Sequence, residues 1–192
     1  MSENAGQVRR REDPRLITGT GEFVDDLRVP GCLHAAFVRS PHAHARVGGI
    51  DVSAALKAPG VAAVFTAADL GAANGLLPVY APHPALPVPR CMRPLTPDVV
   101  RFVGEPVAVV IADDPYLAYD AVDAVAVDWE PLRPLADVHA AMADGAPVLH
   151  EGMGSNVAAD WRQRVGDVEA ASKTADVVVR TRIHLADRKS VV

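Results

Sequence analysis

Short apolar runs separated by Pro, Gly and Asp dominate the pattern of this chain of 192 residues. Runs of this length between turn residues predict buried strands. The runs are Leu33–Val38, Ala45–Ile50, Val61–Phe65, Val107–Ala112 and Val125–Trp129. The first two are close in sequence and can pair as a hairpin.

The clearest local unit is a strand, a helix and a second strand. Asp114 and Pro115 follow Val107–Ala112 and provide an N-cap carboxylate and a proline suited to the first helical position. The predicted helix has one apolar face, extends from Tyr116 to about Asp123, and precedes Val125–Trp129. If the two strands are neighbours in one sheet, this order predicts a right-handed parallel crossover.

Shorter helices are predicted where Ser, Thr or Asp can cap a short apolar stretch. The predicted caps and helices are Ser53 with Ala54–Lys57, Thr66 with a turn through Leu70, Asp137 with Val138–Ala143, and Asp167 with Val168–Lys173. A last strand is predicted over Asp176–Leu185, and residues 186–192 carry no signal that ends a domain. We therefore expect an α+β fold, a mixed sheet with short helices, and a truncated C-terminal end.

A proline-rich loop, Gly71–Asp98, interrupts the regular pattern. Its seven prolines remove backbone donors and exclude a regular helix or a central strand. Loops longer than about 12 to 15 residues are uncommon inside compact domains. We therefore expect this loop either to be mobile or to lie against another surface, which a partner absent from this chain could supply.

Composition and charge narrow the class of protein. The chain is 49% hydrophobic and 22% charged, which is typical of a globular protein. The whole chain has a net charge of −5, and residues 105–151 alone hold ten acids and one base. This acidic region would repel the phosphate backbone of a nucleic acid. The longest strongly apolar run, Val107–Ala112, is far shorter than the ~18 residues that a membrane-spanning helix requires.

The N-terminus and the cysteines predict a cytoplasmic protein. The first residues are polar, lack the apolar stretch of a secretory signal, and are expected to form a disordered tail over 1–11. Cys32 and Cys91 are isolated and lack the spacing of a disulfide framework or a metal site.

Candidate chemistry is sparse. Gly19-Thr20-Gly21 begins like a dinucleotide-binding loop, but Val24 occupies the third glycine position and no apolar strand precedes it. If they lay on a strand, His42 and His44 would face the same side and could supply two metal ligands, although structural hydrogen bonding is the favoured interpretation. Glu105 can act as an acid or base, but a local backbone role in the turn Gly-Glu-Pro is favoured.

Several separated segments keep one order along the chain. They are Glu12–Val47 (EDPRLITGTGEFVDDLRVPGCLHAAFVRSPHAHARV), Val100–Leu132 (VRFVGEPVAVVIADDPYLAYDAVDAVAVDWEPL), His150-Glu151, Asn156 and Gly166–Ala171. From about Arg11 to Leu185 they resemble the amino end of a known family of large subunits. It is the molybdenum-cofactor-binding subunit of the xanthine dehydrogenase, aldehyde oxidase and aerobic carbon monoxide dehydrogenase family.

The resemblance implies the α/β hammerhead domain of that subunit, which we place over residues 12–185, with flanking N-terminal and C-terminal segments. In this family the large subunit carries molybdenum on a pterin cofactor (molybdopterin) and hydroxylates substrates with oxygen from water. Electrons leave through 2Fe-2S clusters and FAD, which partner subunits or domains hold.

The resemblance assigns no catalytic, cofactor-binding or metal-binding residue to this chain, because the family's cofactor contacts and catalytic base lie in later domains. Residues that match family motifs in the hammerhead are expected to serve packing or inter-domain contact. They are Arg39, Ser40, His42, His44, Arg46, Gly104, Glu105 and Pro106.

The predicted function is therefore the N-terminal portion of a molybdenum hydroxylase large subunit that acts on aldehydes, purines, N-heterocycles or carbon monoxide. Its expected partners are the later molybdopterin-binding domains and the iron–sulfur and flavin subunits. The 192-residue chain alone is expected to be inactive. The alternative is a stand-alone binding or scaffold domain whose proline-rich loop and acidic face dock a partner.

Overall fold

The computed structural model describes residues 10–79, 83–86, 88 and 92–181. Within these residues six strands form two small sheets. The strands are β1 (His34–Arg39), β2 (Ala45–Asp51), β3 (Val61–Thr66), β4 (Val99–Val100), β5 (Pro106–Ala112) and β6 (Ala126–Pro131). The helices are α1 (Asp13–Ile17), α2 (Ala67–Leu70), α3 (Pro115–Asp123), α4 (Val138–Ala141) and α5 (Val168–Thr174). Single 3₁₀ turns lie at Val24–Asp26, Ala55–Lys57, Gly71–Asn74 and Glu151–Met153. The α+β class with short helices is confirmed.

Strand β5 is the centre of the first sheet, between β1 and β3. Its apolar sequence explains this position, because a central strand has the most surface to bury. Val110 of β5 is completely buried and pairs with Ala36 of β1 and Val64 of β3. Ala118 of α3 packs in the same cluster as Ala36, so α3 covers this face of the sheet.

Strand β2 is the centre of the second sheet, between β4 and β6. Its first residue, Ala45, is completely buried and pairs with Val100 on one side and Pro131 on the other. Ala45 and Val100 belong to the same buried cluster as Val64 and Val110 of the first sheet. The two sheets therefore share one hydrophobic core.

The predicted pairings of the strands are wrong in two places. Strands β1 and β2 lie in different sheets and form no hairpin, and β5 and β6 also lie in different sheets, so the parallel crossover does not form. All described strand pairs are antiparallel, and they form two sheets instead of one mixed sheet. Long-range packing decides which apolar runs pair, and a local pattern does not contain that information.

The aspartate caps are confirmed. The Asp114 carboxylate accepts from the backbone N–H of Tyr116 at 2.8 Å, and Asp137 and Asp167 cap α4 and α5 in the same way. The cap predicted at Ser53 is wrong, because the following turn is 3₁₀ and begins one residue later. Instead, Ser53 donates its backbone N–H to the Asp51 carboxylate at 2.9 Å. None of the described helices is long and apolar enough to cross a membrane.

Two terminal predictions fall wholly or partly outside the described residues. Residues 1–9 of the predicted tail and the predicted truncated end, 186–192, lie outside them, as do residues 182–185 of the predicted last strand. The described part of that strand, 176–181, is exposed and forms no strand. A strand needs a neighbour for its backbone hydrogen bonds, and no described strand pairs with this segment.

Candidate functional site

Five of the family-motif residues meet at one end of the first sheet. Arg39 and Pro106 pair across a β-bulge. Ser40 donates its backbone N–H to the carbonyl of Glu105 at 3.0 Å and accepts from the N–H of Gly104 at 2.8 Å. The Arg39 guanidinium donates to the Gly104 carbonyl at 2.8 Å. Because Gly104 has a φ of 92°, the turn before β5 requires glycine there.

The Glu105 carboxylate is the centre of this junction. Glu105 is 6% exposed, and Oε1 accepts from the Thr96 hydroxyl at 2.7 Å. Oε2 accepts from the backbone N–H of Arg101. The backbone N–H of Thr96 also donates to the carbonyl of Pro106 at 2.8 Å. Both carboxylate oxygens are engaged, so Glu105 ties the end of the proline-rich loop to the turn before β5.

Arg101 extends the junction toward the segment that follows α4. Its Nε donates to the Leu149 carbonyl at 2.7 Å, and its Nη1 donates to the Val99 carbonyl at 2.7 Å. A cavity of about 300 Å³ opens beside it. The charged and titratable residues that line this cavity are Arg93, Asp98, Arg101, Glu105, His150 and Glu151.

His150 is half-buried at this cavity. Burial lowers the pKa of its imidazole below the ordinary value, because the protonated form loses hydration. The nearby Arg101 guanidinium lowers the pKa further, whereas the Glu105 carboxylate acts in the opposite direction. The arrangement therefore favours a neutral imidazole.

The described parts of the proline-rich loop lie against the chain's own residues, which fits the second of the two predicted alternatives. Asn74 is 5% exposed, donates to the Leu95 carbonyl at 2.8 Å and accepts from the Leu95 N–H at 2.9 Å. Arg93 donates to the Asn74 carbonyl at 2.7 Å, and Leu77 and Met92 form an isolated antiparallel bridge. Positions 80–82, 87 and 89–91 of the predicted loop lie outside the described residues.

The histidine pair lies in the bend between β1 and β2, so the strand geometry that would turn both imidazoles to one face is absent there. The Ser40 hydroxyl donates to the His42 carbonyl at 2.8 Å, which connects the pair to the Glu105 junction. The His42 and Trp129 rings pack in a T-shaped arrangement with 5.7 Å between ring centroids. The Nδ1 atom of His44 is hydrogen bonded to the Arg133 carbonyl at 2.8 Å. Within the described residues, the His42 ring thus makes an aromatic contact and the His44 ring a hydrogen bond.

The remaining motif residue, Arg46, forms an exposed ion pair with Glu130, with 3.9 Å between the charged atoms. No group of three His, Cys, Asp or Glu side chains in the described part of the chain is arranged to hold a metal ion. The structure thus supplies neither a third nor a fourth ligand to the histidine pair within those residues.

Three residues around this site carry no clear signal in the sequence. Thr96 and Arg101 lie nine and four residues before Glu105, and the turn between β4 and β5 brings them to its carboxylate. Asn74 pairs with a residue 21 positions away. The one local signal is their position, since Asn74 and Thr96 stand near the two ends of the proline-rich loop.

Comparison with known proteins gives one consistent result. The family model described as the aldehyde oxidase and xanthine dehydrogenase α/β hammerhead domain matches residues 18–133. The nicotine 6-hydroxylase large subunit of Paenarthrobacter nicotinovorans is 41% identical over 179 residues, which are 93% of this chain and 22% of the relative. The carbon monoxide dehydrogenase large chain of Afipia carboxidovorans is 46% identical over 143 residues, 74% of this chain and 17% of the relative.

The solved structure of quinoline 2-oxidoreductase from Pseudomonas putida 86 has the same fold. Its TM-score is 0.77 at 35% identity, and the match covers 91% of this chain and 22% of that one. The chain spans about a fifth of the length of the curated relatives it matches. Fold, motif order and sequence identity agree, and the chain therefore belongs to the aldehyde oxidase and xanthine dehydrogenase family, whose α/β hammerhead domain it contains.

Proposed function

We propose that this chain is the hammerhead portion of a molybdenum hydroxylase large subunit. The complete enzyme would hydroxylate an aldehyde, a purine or an N-heterocycle, or oxidise carbon monoxide, with oxygen from water. The observation that carries this proposal is the match of 93% of the chain to a fifth of a hydroxylase large subunit. The two isolated cysteines favour the cytoplasm as its location.

Within that enzyme the chain gives structural and inter-domain support and holds no cofactor. The described residues do not fit a molybdenum–pterin group. Their buried side-chain polar atoms all have hydrogen-bond partners, and no cluster of metal-ligating side chains is present among them. The Glu105 carboxylate, the one buried acid of the junction, is occupied by Thr96 and Arg101. Cofactor contacts would come from the rest of the subunit, and 2Fe-2S and FAD from partner subunits.

The first test is the mass and metal content of the native polypeptide. An antibody to Val100–Leu132 would detect it in source cells, and the captured complex would be assayed for molybdenum, iron, flavin and dye reduction with each substrate class. We expect a polypeptide several-fold larger than 20.2 kDa that carries molybdenum. A 20.2 kDa product without molybdenum would overturn the proposal and favour the stand-alone binding domain.

A second test separates support from catalysis. In the full-length enzyme, Glu105→Gln is expected to lower the yield of folded, molybdenum-loaded subunit while activity per molybdenum stays unchanged. Glu130→Gln is the matched control, because the Glu130 side chain is 70% exposed. A loss of activity per molybdenum in the Glu105 variant alone would contradict the supporting role.

A further inference from the structure

One face of the first sheet is apolar, and among the described residues it stays partly exposed. The row Phe37, Val109 and Phe65 crosses β1, β5 and β3, because Val109 pairs with both phenylalanines. Paired residues point to the same side of a sheet, and this side is opposite to the face that α3 covers. Phe37 is 42% exposed and Phe65 is 39% exposed.

The next row on this face is also apolar. Ile111 pairs with Ala35 of β1 and Ala63 of β3. We define the outer sheet face by six residues, Ala35, Phe37, Ala63, Phe65, Val109 and Ile111. At its edge the Arg39 guanidinium lies 5.3 Å from the centre of the Phe37 ring.

The sequence of β5 is typical of a strand that is buried on both faces. An antiparallel strand with one face in water alternates apolar and polar residues, whereas a nearly continuous apolar run is typical of a strand buried on both faces. The run Val107–Ala112 contains no polar residue. Helix α3 supplies one cover, so the sequence specifies a second cover, which no element of the described part of the chain provides.

We propose that the polypeptide that follows this hammerhead portion in the large subunit packs against the outer sheet face. This inference rests on the proposed function. The face offers carbon surface without hydrogen-bonding side chains, which is typical of permanent interfaces and is a liability when left exposed. In the relatives about four fifths of the subunit lie outside the matched region, so a covalently linked chain long enough to cover the face is available.

Hydroxyl-radical footprinting of unmodified protein tests the assignment. Oxidation of Phe37 and Phe65 would be compared between the 192-residue chain and the full-length large subunit, with free phenylalanine as the dose standard. We expect about fivefold or stronger protection of both rings in the full-length subunit. Equal oxidation in both proteins would overturn the proposal.

Two other occupants give distinct results in the same experiment. Protection that rises with the concentration of the isolated chain would indicate a second copy of this chain. Protection that appears only after the iron–sulfur or flavin subunit is added would indicate that subunit. Either result would overturn the assignment to the following polypeptide.

A binding assay between the two pieces of the subunit gives an independent measurement. The 192-residue chain and the remaining polypeptide would be produced separately, and their affinity measured. Phe37→Ser and Phe65→Ser are each expected to weaken binding about tenfold or more, as loss of a buried aromatic anchor does. Tyr119→Ser is the matched control, because Tyr119 is 69% exposed on α3.

Circular dichroism would show that each variant keeps the folded spectrum of the parent chain. Unchanged affinity of both phenylalanine variants, or an equal loss for Tyr119→Ser, would overturn this inference alone. If the gene encodes no longer polypeptide, the proposed function itself fails, and that outcome is visible before any affinity is measured.

Discussion

The Thr96 hydroxyl donates a 2.7 Å hydrogen bond to the buried carboxylate of Glu105. Thr96 is 3% exposed and lies nine residues before Glu105, on the far side of β4. The bond therefore holds the end of the proline-rich loop against the first strand residues of β5. It belongs to the class of hydrogen bonds in which the acceptor is charged, and these are stronger than neutral ones.

Replacing this hydroxyl should destabilise the fold. Thr96→Val leaves one carboxylate oxygen of Glu105 buried without its donor, which costs about 1–3 kcal/mol. The free energy of unfolding of the 192-residue chain in urea would measure this. Thr20→Val, at an exposed hydroxyl, is the control and should stay within about 0.5 kcal/mol of the parent. Equal free energies of unfolding for the two variants would show that the buried hydrogen bond does not stabilise the fold more than an exposed hydroxyl does.

The turn before β5 depends on the left-handed backbone of Gly104. Gly104→Ala places a Cβ in open space, so its cost is conformational alone, about 1–2 kcal/mol. Gly49→Ala also meets open space, but the φ of Gly49 is not in the left-handed region. We expect thermal unfolding to show a lower Tm for the first variant and an unchanged or higher Tm for the second. The reverse order would contradict the role of the Gly104 φ.

Helix α3 begins at a carboxylate cap. Asp114→Ala removes the acceptor of the Tyr116 and Leu117 N–H groups, and losing such a cap costs about 1 kcal/mol. Urea unfolding of the variant would measure the loss. The neighbouring substitution Asp113→Ala is the matched control, because Asp113 is exposed and donates only its backbone N–H, to Gly60. A similar loss in both variants would contradict the capping role.

The stability of the chain should depend on pH through His150. Its pKa in the folded chain is lowered by burial and by Arg101, so the unfolded chain binds more protons in the window below about pH 6.5. Stability from this residue is therefore present at neutral pH and falls as the pH is lowered through that window. The difference in unfolding free energy between the parent and His150→Gln, measured from pH 5 to pH 7.5, should shrink toward acid.

His139→Gln is the control for the substitution itself, since His139 lies on the short exposed helix α4. A difference between the parent and His150→Gln that is constant with pH would contradict the prediction. A difference that grows as the pH falls would be the opposite of the prediction. It would show that the fold stabilises the protonated imidazole.

Local sequence determined most elements of this protein, although not β4, and indicated its family. Each of the five predicted apolar runs is a strand within a residue or two, and Asp114, Asp137 and Asp167 cap the helices that follow them. Such features depend on neighbouring residues, so they can be predicted without the tertiary structure. The motif order from Glu12 onward indicated the hammerhead domain, which the family match confirms.

Only the tertiary structure decided how these elements meet. The pairing of β5 with β1 and β3, and of β2 with β4 and β6, follows from shared burial in one core, and the local pattern suggested other partners. The contacts of Glu105 with Thr96 and Arg101 depend on how the chain turns between β4 and β5. Hydrogen bonds of this kind do not recur at a regular spacing, so no sequence pattern predicts them. The fold decides which donor meets which acceptor.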